Sequence, residues 1–169
     1  MNKISTIVRD ILKKNRINSF PINLKKITAS LKVQIKKEKL ENDISGFLYL
    51  KDNKSIIVVN DSHPEVRQRF TIAHELGHLL LNHNSDLFVD NENILYRATQ
   101  TKDANYKLEK EANKFAAELL MPEEMLTDEL LKGEIFLDDT DELNKLANKL
   151  QVSPQALTIR LSNLGWTLF

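Results

Sequence analysis

The chain contains no cysteine. Disulfide staples and thiolate metal sites are therefore excluded, and any metal must be held by His, Asp or Glu. A reducing compartment is compatible with this. No apolar run approaches the roughly 20 residues that span a bilayer. The N-terminal "MNKISTIVRDILKKNRI" breaks its apolar positions with charge every few residues, so it lacks the continuous apolar region of a secretion signal. The expectation is a cytoplasmic protein with no membrane partner. Net charge is also missing, because 24 Lys and Arg balance 24 Asp and Glu. The balance hides an asymmetry: residues 1–39 carry 11 basic and 2 acidic side chains, and residues 103–142 carry 4 basic and 13 acidic ones. We expect solvated faces of opposite sign. The basic segment lacks Arg clusters and interleaved aromatics, which argues against a nucleic-acid arm.

At 169 residues the chain is long enough for one compact domain with a sizeable core, and no repeat, low-complexity tract or clear linker divides it. Ile4, Ile7, Val8, Ile11 and Leu12 have the spacing of one helical face. Asn23 is placed to cap a short second helix containing Leu24, Ile27, Ala29 and Leu31. Val33 and Ile35 alternate with polar residues as in a strand. Phe47–Leu50 and Ile56–Val59 read as a hairpin with Asp52-Asn53-Lys54 as its turn. Pro64 opens a long helix to about Asn82. Residues 83–103 read as a loop, and residues 104–121 as a helix stopped by Pro122. "PEEMLTDELLKG" is a shorter helix, and Asp141–Leu150 with Ser153–Leu164 form a closing helix pair. The fold class expected is α+β, a small mainly antiparallel sheet between helical segments.

The long helix contains "RFTIAHELGH". Residues four apart on a helix lie nearly over one another, so His74 and His78 project about 40° apart and can converge on one cation. Glu75 points about 100° from His74, away from a third-ligand position but within reach of a water held by the metal. Two ligands and a general base are the mechanical content of this H-E-x-x-H spacing. Apolar residues fill the other sectors of the helix, so it is expected to be buried. Two buried imidazoles and a carboxylate need partners, and a metal supplies them. Gly77 costs about 1 kcal/mol of helix propensity against Ala, which makes sense where another backbone passes close by.

A catalytic zinc takes three protein ligands and keeps one position open. His83 lies nine residues after His74, and Leu81 and Asn84 occupy the positions where a metzincin has Gly and His. We therefore read His83 as a polar residue at the helix end, and His63 as peripheral. The next long helix, "YKLEKEANKFAAELLMP", buries Leu108, Ala112, Phe115, Ala116 and Leu119 on one stripe. Glu109 falls about 60° round from Ala112 on the inner side. Glu111 falls on the opposite flank with Lys107, Lys114 and Glu118, which reads as a solvated row. Helical geometry favours Glu109 as the third ligand, with Glu111 the alternative. Asn113, one turn after Glu109, could accept the N–H of a ligating imidazole.

"RFTIAHELGHLLLNH" followed by "EKEANKFAAELLMP" resembles the ImmA/IrrE family of bacterial and phage-associated metallo-endopeptidases. "FPINLKKITASLKVQI", "SGFLYL…SIIVVN" and "LQVSPQALTIRLSNLG" are similar too, so the resemblance covers about residues 15–165. It implies a gluzincin-like site with one catalytic zinc ion on His74, His78 and Glu109, and Glu75 as the base. It implies a zincin-like pair of active-site helices, and a protein partner that is a helix-turn-helix repressor, cleaved to release transcription. Some family members carry their own N-terminal repressor domain, and we expect none before residue 20 here. On this reading an extended substrate pairs with a sheet edge near Ser55–Asn60. Tyr96, Arg97 and Tyr106 are candidates to assist the oxyanion. The helix Pro154–Leu164 has the cadence of a DNA-reading helix but carries one basic residue, Arg160, so no direct nucleic-acid contact is expected. The rival reading is a non-catalytic module in which zinc only stabilises a surface that antagonises a repressor or toxin partner.

Overall fold

The structure, a computed structural model, describes residues 3–51, 54–83, 87–91, 104–133 and 139–166. The chain opens with α1 (Lys3–Lys14) and α2 (Leu24–Ser30). Ile4, Val8, Ile11 and Leu12 are the buried face of α1, and the Asn23 side chain caps α2 by accepting from the Lys26 amide at 3.0 Å. Three strands follow, β1 (Val33–Glu38), β2 (Ile44–Lys51) and β3 (Lys54–Asn60). After them come α3 (Glu65–Leu80), β4 (Leu87–Asn91), α4 (Ala104–Leu120), α5 (Glu123–Gly133), α6 (Thr140–Leu150) and α7 (Pro154–Asn163). This is an α+β arrangement with a helical C-terminal segment. Asp52 and Asn53 of the expected turn lie outside the described residues.

The strand order is β1-β3-β2-β4. β1 runs parallel to β3, and the other two pairings are antiparallel. One expectation changes here. Residues 83–103 are not loop throughout, because Leu87–Asn91 pairs with β2 as an edge strand. A strand of five residues carries little signal of its own and forms because β2 offers it an open ladder. β3 has neighbours on both sides, so a sheet edge near Ser55–Asn60 belongs to another strand. Among the described residues the edges are β1 and β4, and α3 packs beside β4.

α3 is sandwiched between the sheet and α4. Residues 71–78 are buried without a break, as a helix apolar on every side requires. On one side Gly46 of β2 lies so close that an added Cβ would stand 2.7 Å from Thr71 Cγ2. On the other, Gly77 meets α4. The core joins Leu48, Ile57 and Val59 of the sheet to Ile72 and Leu76 of α3 and to Phe115, Ala116 and Leu119 of α4. It continues into Leu146, Leu150, Leu157 and Leu161 of the closing helix pair.

The flank of α4 read as solvated holds one exception. Lys107 and Lys114 are exposed, but Glu118 is buried and receives Arg160 Nη2 at 2.5 Å. Arg160 Nε donates to the Met121 carbonyl at 3.1 Å. The basic residue of α7 thus points into the protein and is withdrawn from any phosphate. A lone charge on a wheel cannot announce a partner 42 positions away. No helix among the described residues is long and apolar enough to cross a membrane.

Candidate metal centre

α3 and α4 bring His74, His78 and Glu109 together. Glu109 Oε2 lies 3.2 Å from His74 Nε2, and Glu109 Oε1 lies 3.3 Å from His78 Nε2. The two Nε2 atoms are 3.0 Å apart. Both imidazoles are buried, with side-chain exposures of 2% and 1%, while Glu109 keeps 18%. Glu75, one residue beyond His74, is fully buried. Burial alone would raise the Glu109 pKa, but hydrogen bonds from His74 and His78 and their charge pull it down to about 2. Glu109 is a carboxylate at any working pH.

The outer nitrogens of both rings are engaged. His74 Nδ1 donates to Asn113 Oδ1 at 3.0 Å, the contact expected for Asn113. An amide oxygen only accepts, so His74 carries a proton on Nδ1, and in the neutral ring that binds a metal the Nε2 lone pair faces the cluster. Ligand atoms on a tetrahedral zinc with bonds of about 2.0–2.1 Å stand about 3.3–3.4 Å apart. The observed triangle of 3.0, 3.2 and 3.3 Å is close to that size. Lone pairs and a carboxylate aimed at one point, away from water, need a cation between them. The donor set therefore fits a metal ion.

Glu111 points elsewhere. It meets His83 Nε2 at 3.4 Å, and His83 Nδ1 lies 2.9 Å from His78 Nδ1. The sequence reading took His83 for a polar residue at the helix end, yet it is buried against the centre. The signal was there. Asn82 adopts φ 57°, the left-handed turn that ends a helix. The Asn82 amide bonds the Leu79 carbonyl at 3.4 Å and the His83 amide bonds the His78 carbonyl at 3.0 Å. In this helix-ending turn the second residue past the cap folds back over the residue five before it, so His83 had to meet His78. Burial, then the charge of His78, lowers the His83 pKa against the opposing pull of Glu111 and Glu109. His63 is remote, its Nε2 donating to the Asn42 carbonyl at 3.1 Å. Tyr106 is 40% exposed at the start of α4. Tyr96 and Arg97 lie outside the described residues.

Residues 28–162 match the peptidase family described as the IrrE N-terminal-like domain. The chain belongs to this family. Among its relatives, the radiation response metalloprotease IrrE of Deinococcus radiodurans is 32% identical over 108 residues, which is 64% of this chain and 31% of that protein. The Deinococcus deserti protein of the same name is 35% identical over 98 residues, 58% of this chain and 32% of its own length. The chain thus spans about a third of the IrrE proteins it matches. The uncharacterized immunity region protein 2 of Bacillus phage phi105 is 26% identical over 147 residues, covering 87% of this chain and 85% of the phage protein. Among solved structures, a Mycobacterium tuberculosis transcriptional regulator matches with a TM-score of 0.65 over 96% of this chain and 47% of that one, at 14% identity. That likeness concerns the fold alone. Membership of the IrrE-like family and the His-His-Glu cluster together point to a metal ion at this centre.

Proposed function

We propose that this chain is a zinc-dependent endopeptidase that cuts a specific protein partner, a helix-turn-helix repressor of phage, mobile-element or stress genes. The observation that carries the reading is the convergence of His74, His78 and Glu109, with ligand atoms all within 4.8 Å of one another, one residue from the buried carboxylate of Glu75. Among the described residues no fourth His, Asp or Glu joins the group, which suits a catalytic rather than a structural site. The ion, when bound, lowers the pKa of water towards about 7 and polarises a carbonyl as a Lewis acid.

The chain's own residues supply the rest. Asn113 orients His74. Glu75 is the base that takes the proton of the attacking water and passes it to the leaving amine. Its position inside the α3 sandwich keeps its carboxylate out of bulk water. β4, an edge among the described residues and packed beside α3, gives an extended segment of the partner a ladder to join by strand addition. Similarity to a phage immunity region protein over most of its length favours a regulatory protein as the partner.

The test compares wild type, Glu75→Gln and Glu109→Ala. Zinc is measured by elemental analysis, and each is incubated with candidate helix-turn-helix repressors from the same genome. Near-stoichiometric zinc in the first two, loss in the third and cutting by wild type alone is the expected pattern. Zinc retained by Glu109→Ala would move the third ligand elsewhere. A zinc-loaded wild type that binds the repressor without cutting it would favour the non-catalytic module.

A further inference from the structure

We propose that Glu111 and His83 form a positioning relay that holds His78 as its Nδ1–H tautomer and so keeps the Nε2 lone pair of His78 turned to the metal. The inference rests on the reading of His78 as a ligand given above.

The two histidine ligands have different outer partners. His74 meets an amide oxygen, which can only accept, and its tautomer is thereby fixed. His78 meets another imidazole, Nδ1 to Nδ1 at 2.9 Å. That contact alone does not choose a direction, because either ring can donate. Glu111 makes the choice. Its carboxylate accepts only, and it faces His83 Nε2 at 3.4 Å. In a neutral His83 ring a proton on Nε2 satisfies Glu111 and leaves Nδ1 as the acceptor, so His78 Nδ1 donates. The reverse assignment would set the bare Nε2 of His83 against a carboxylate and protonate the ring of His78 on the side facing His74 and Glu109. Metal-ligating imidazoles are held by an outer acceptor in this way, and loss of that acceptor weakens metal binding about 10–100-fold.

The backbone makes the relay stiff. The turn at Asn82 ties the His83 amide to the His78 carbonyl at 3.0 Å, so the two rings are registered by the chain as well as by the N–H···N bond. Their centroids lie 5.0 Å apart with the planes 72° from parallel, so the ring plane of His83 stands across that of His78. The His83 side chain is 4% exposed and that of Glu111 is 40% exposed, so the relay runs from solvent to the buried ligand. Glu111 is therefore neither a third ligand nor a bystander on this reading.

Nitrogen-15 NMR of histidine-labelled wild type, with and without zinc, reads the relay directly. The expected result in the zinc-loaded protein is a nitrogen–nitrogen coupling across the His78–His83 hydrogen bond, with the proton on His78 Nδ1 and His83 protonated on Nε2. Zinc affinity by chelator competition should fall about 10–100-fold in His83→Leu. His83→Asn, which keeps an acceptor near the Nδ1 position, should recover most of it. Glu111→Leu should leave His83 in mixed tautomers. A proton on His83 Nδ1 in wild type, or wild-type zinc affinity in a folded His83→Leu, would overturn the relay. If His83→Leu does not fold, the wild-type spectra and His83→Asn decide. A wild type that takes up no zinc yet shows His83 protonated on Nε2 and hydrogen-bonded to His78 would sink the zinc-peptidase reading while leaving the relay standing.

Discussion

Gly77 on α3 faces the backbone of Ala112 on α4 so closely that a methyl group on it would stand 3.1 Å from the Ala112 Cα and 3.2 Å from its carbonyl oxygen. The Phe115 Cβ would lie 3.2 Å away. These atoms cannot swing aside as the tip of a long side chain would. The helices that hold the two histidines and Glu109 are thus spaced by a residue with no side chain, one position before His78. Gly77→Ala should gain about 1 kcal/mol in helix propensity and lose about 1–3 kcal/mol to overpacking. The expected net is a loss of about 1 kcal/mol, accompanied by weaker metal binding as Glu109 is pushed from the imidazoles. Urea unfolding of the metal-free protein beside a zinc titration would check both. A variant more stable than wild type with unchanged zinc affinity would show that the close approach does not set the site.

The low pKa of Glu109 has a consequence for stability. Its folded value of about 2 lies below the ordinary 4.5. A depressed carboxyl contributes stability that is present above the unfolded value and lost as pH falls through the folded one. His83 is also depressed, from 6.5. Its neutral form is favoured in the fold, so its contribution is present above 6.5 and fades as pH drops below that. Metal-free protein should therefore become more stable with rising pH in both windows. Urea midpoints from near pH 2 to near pH 8 would show it, with Glu109→Gln flattening the acidic window. Stability falling with rising pH in the acidic window, or a slope that survives Glu109→Gln, would refute the assignment.

Arg160 and Glu118 form a pair with side-chain exposures of 7% and 10%, joining α7 to α4. Breaking a buried pair on one side leaves an uncompensated charge and costs about 3–5 kcal/mol, whereas replacing both partners by apolar groups is often neutral. Arg160→Met alone should be strongly destabilising. Arg160→Met with Glu118→Leu should recover most of the loss, short of what the Met121 carbonyl forfeits. A double-mutant cycle by thermal melting measures the coupling, and additive effects would count against the pair.

The parts of this molecule that were legible in sequence are those written in local spacing. His74 and His78 meet because they are four apart on one helix, and Glu109 was separated from Glu111 by its angle from the stripe of Ala112 and Phe115. Gly77 announced a close approach because glycine inside a buried helix needs a reason. The rest depended on partners distant in the chain. Glu118 looked solvated because Arg160 is far off in sequence, and the parallel pairing of β1 with β3 leaves no local mark. His83 is the instructive case. Its wheel position beyond the helix end meant nothing, and only the turn geometry imposed by Asn82 carries it back to His78.

Metal removal should separate the roles of two carboxylates that lie on different helices. A ligand that binds only the folded state stabilises it by an amount set by its concentration over Kd, about 2.7 kcal/mol at a hundredfold excess. Wild type should therefore melt at a higher temperature with zinc than after chelation. Glu109→Gln exchanges a carboxylate for a neutral amide between the two imidazoles, so this zinc-dependent shift should shrink sharply. Glu75→Gln removes the proposed base but none of the three clustered ligand candidates, so the shift should persist even where the proposed cutting is lost. Both variants are conservative in volume, so a difference between them reports on chemistry and not on packing. Thermal melts at several zinc concentrations would give the slope for each. Equal losses of the shift in both variants would mean that Glu75 also holds the ion, and the division between base and ligand would have to be abandoned.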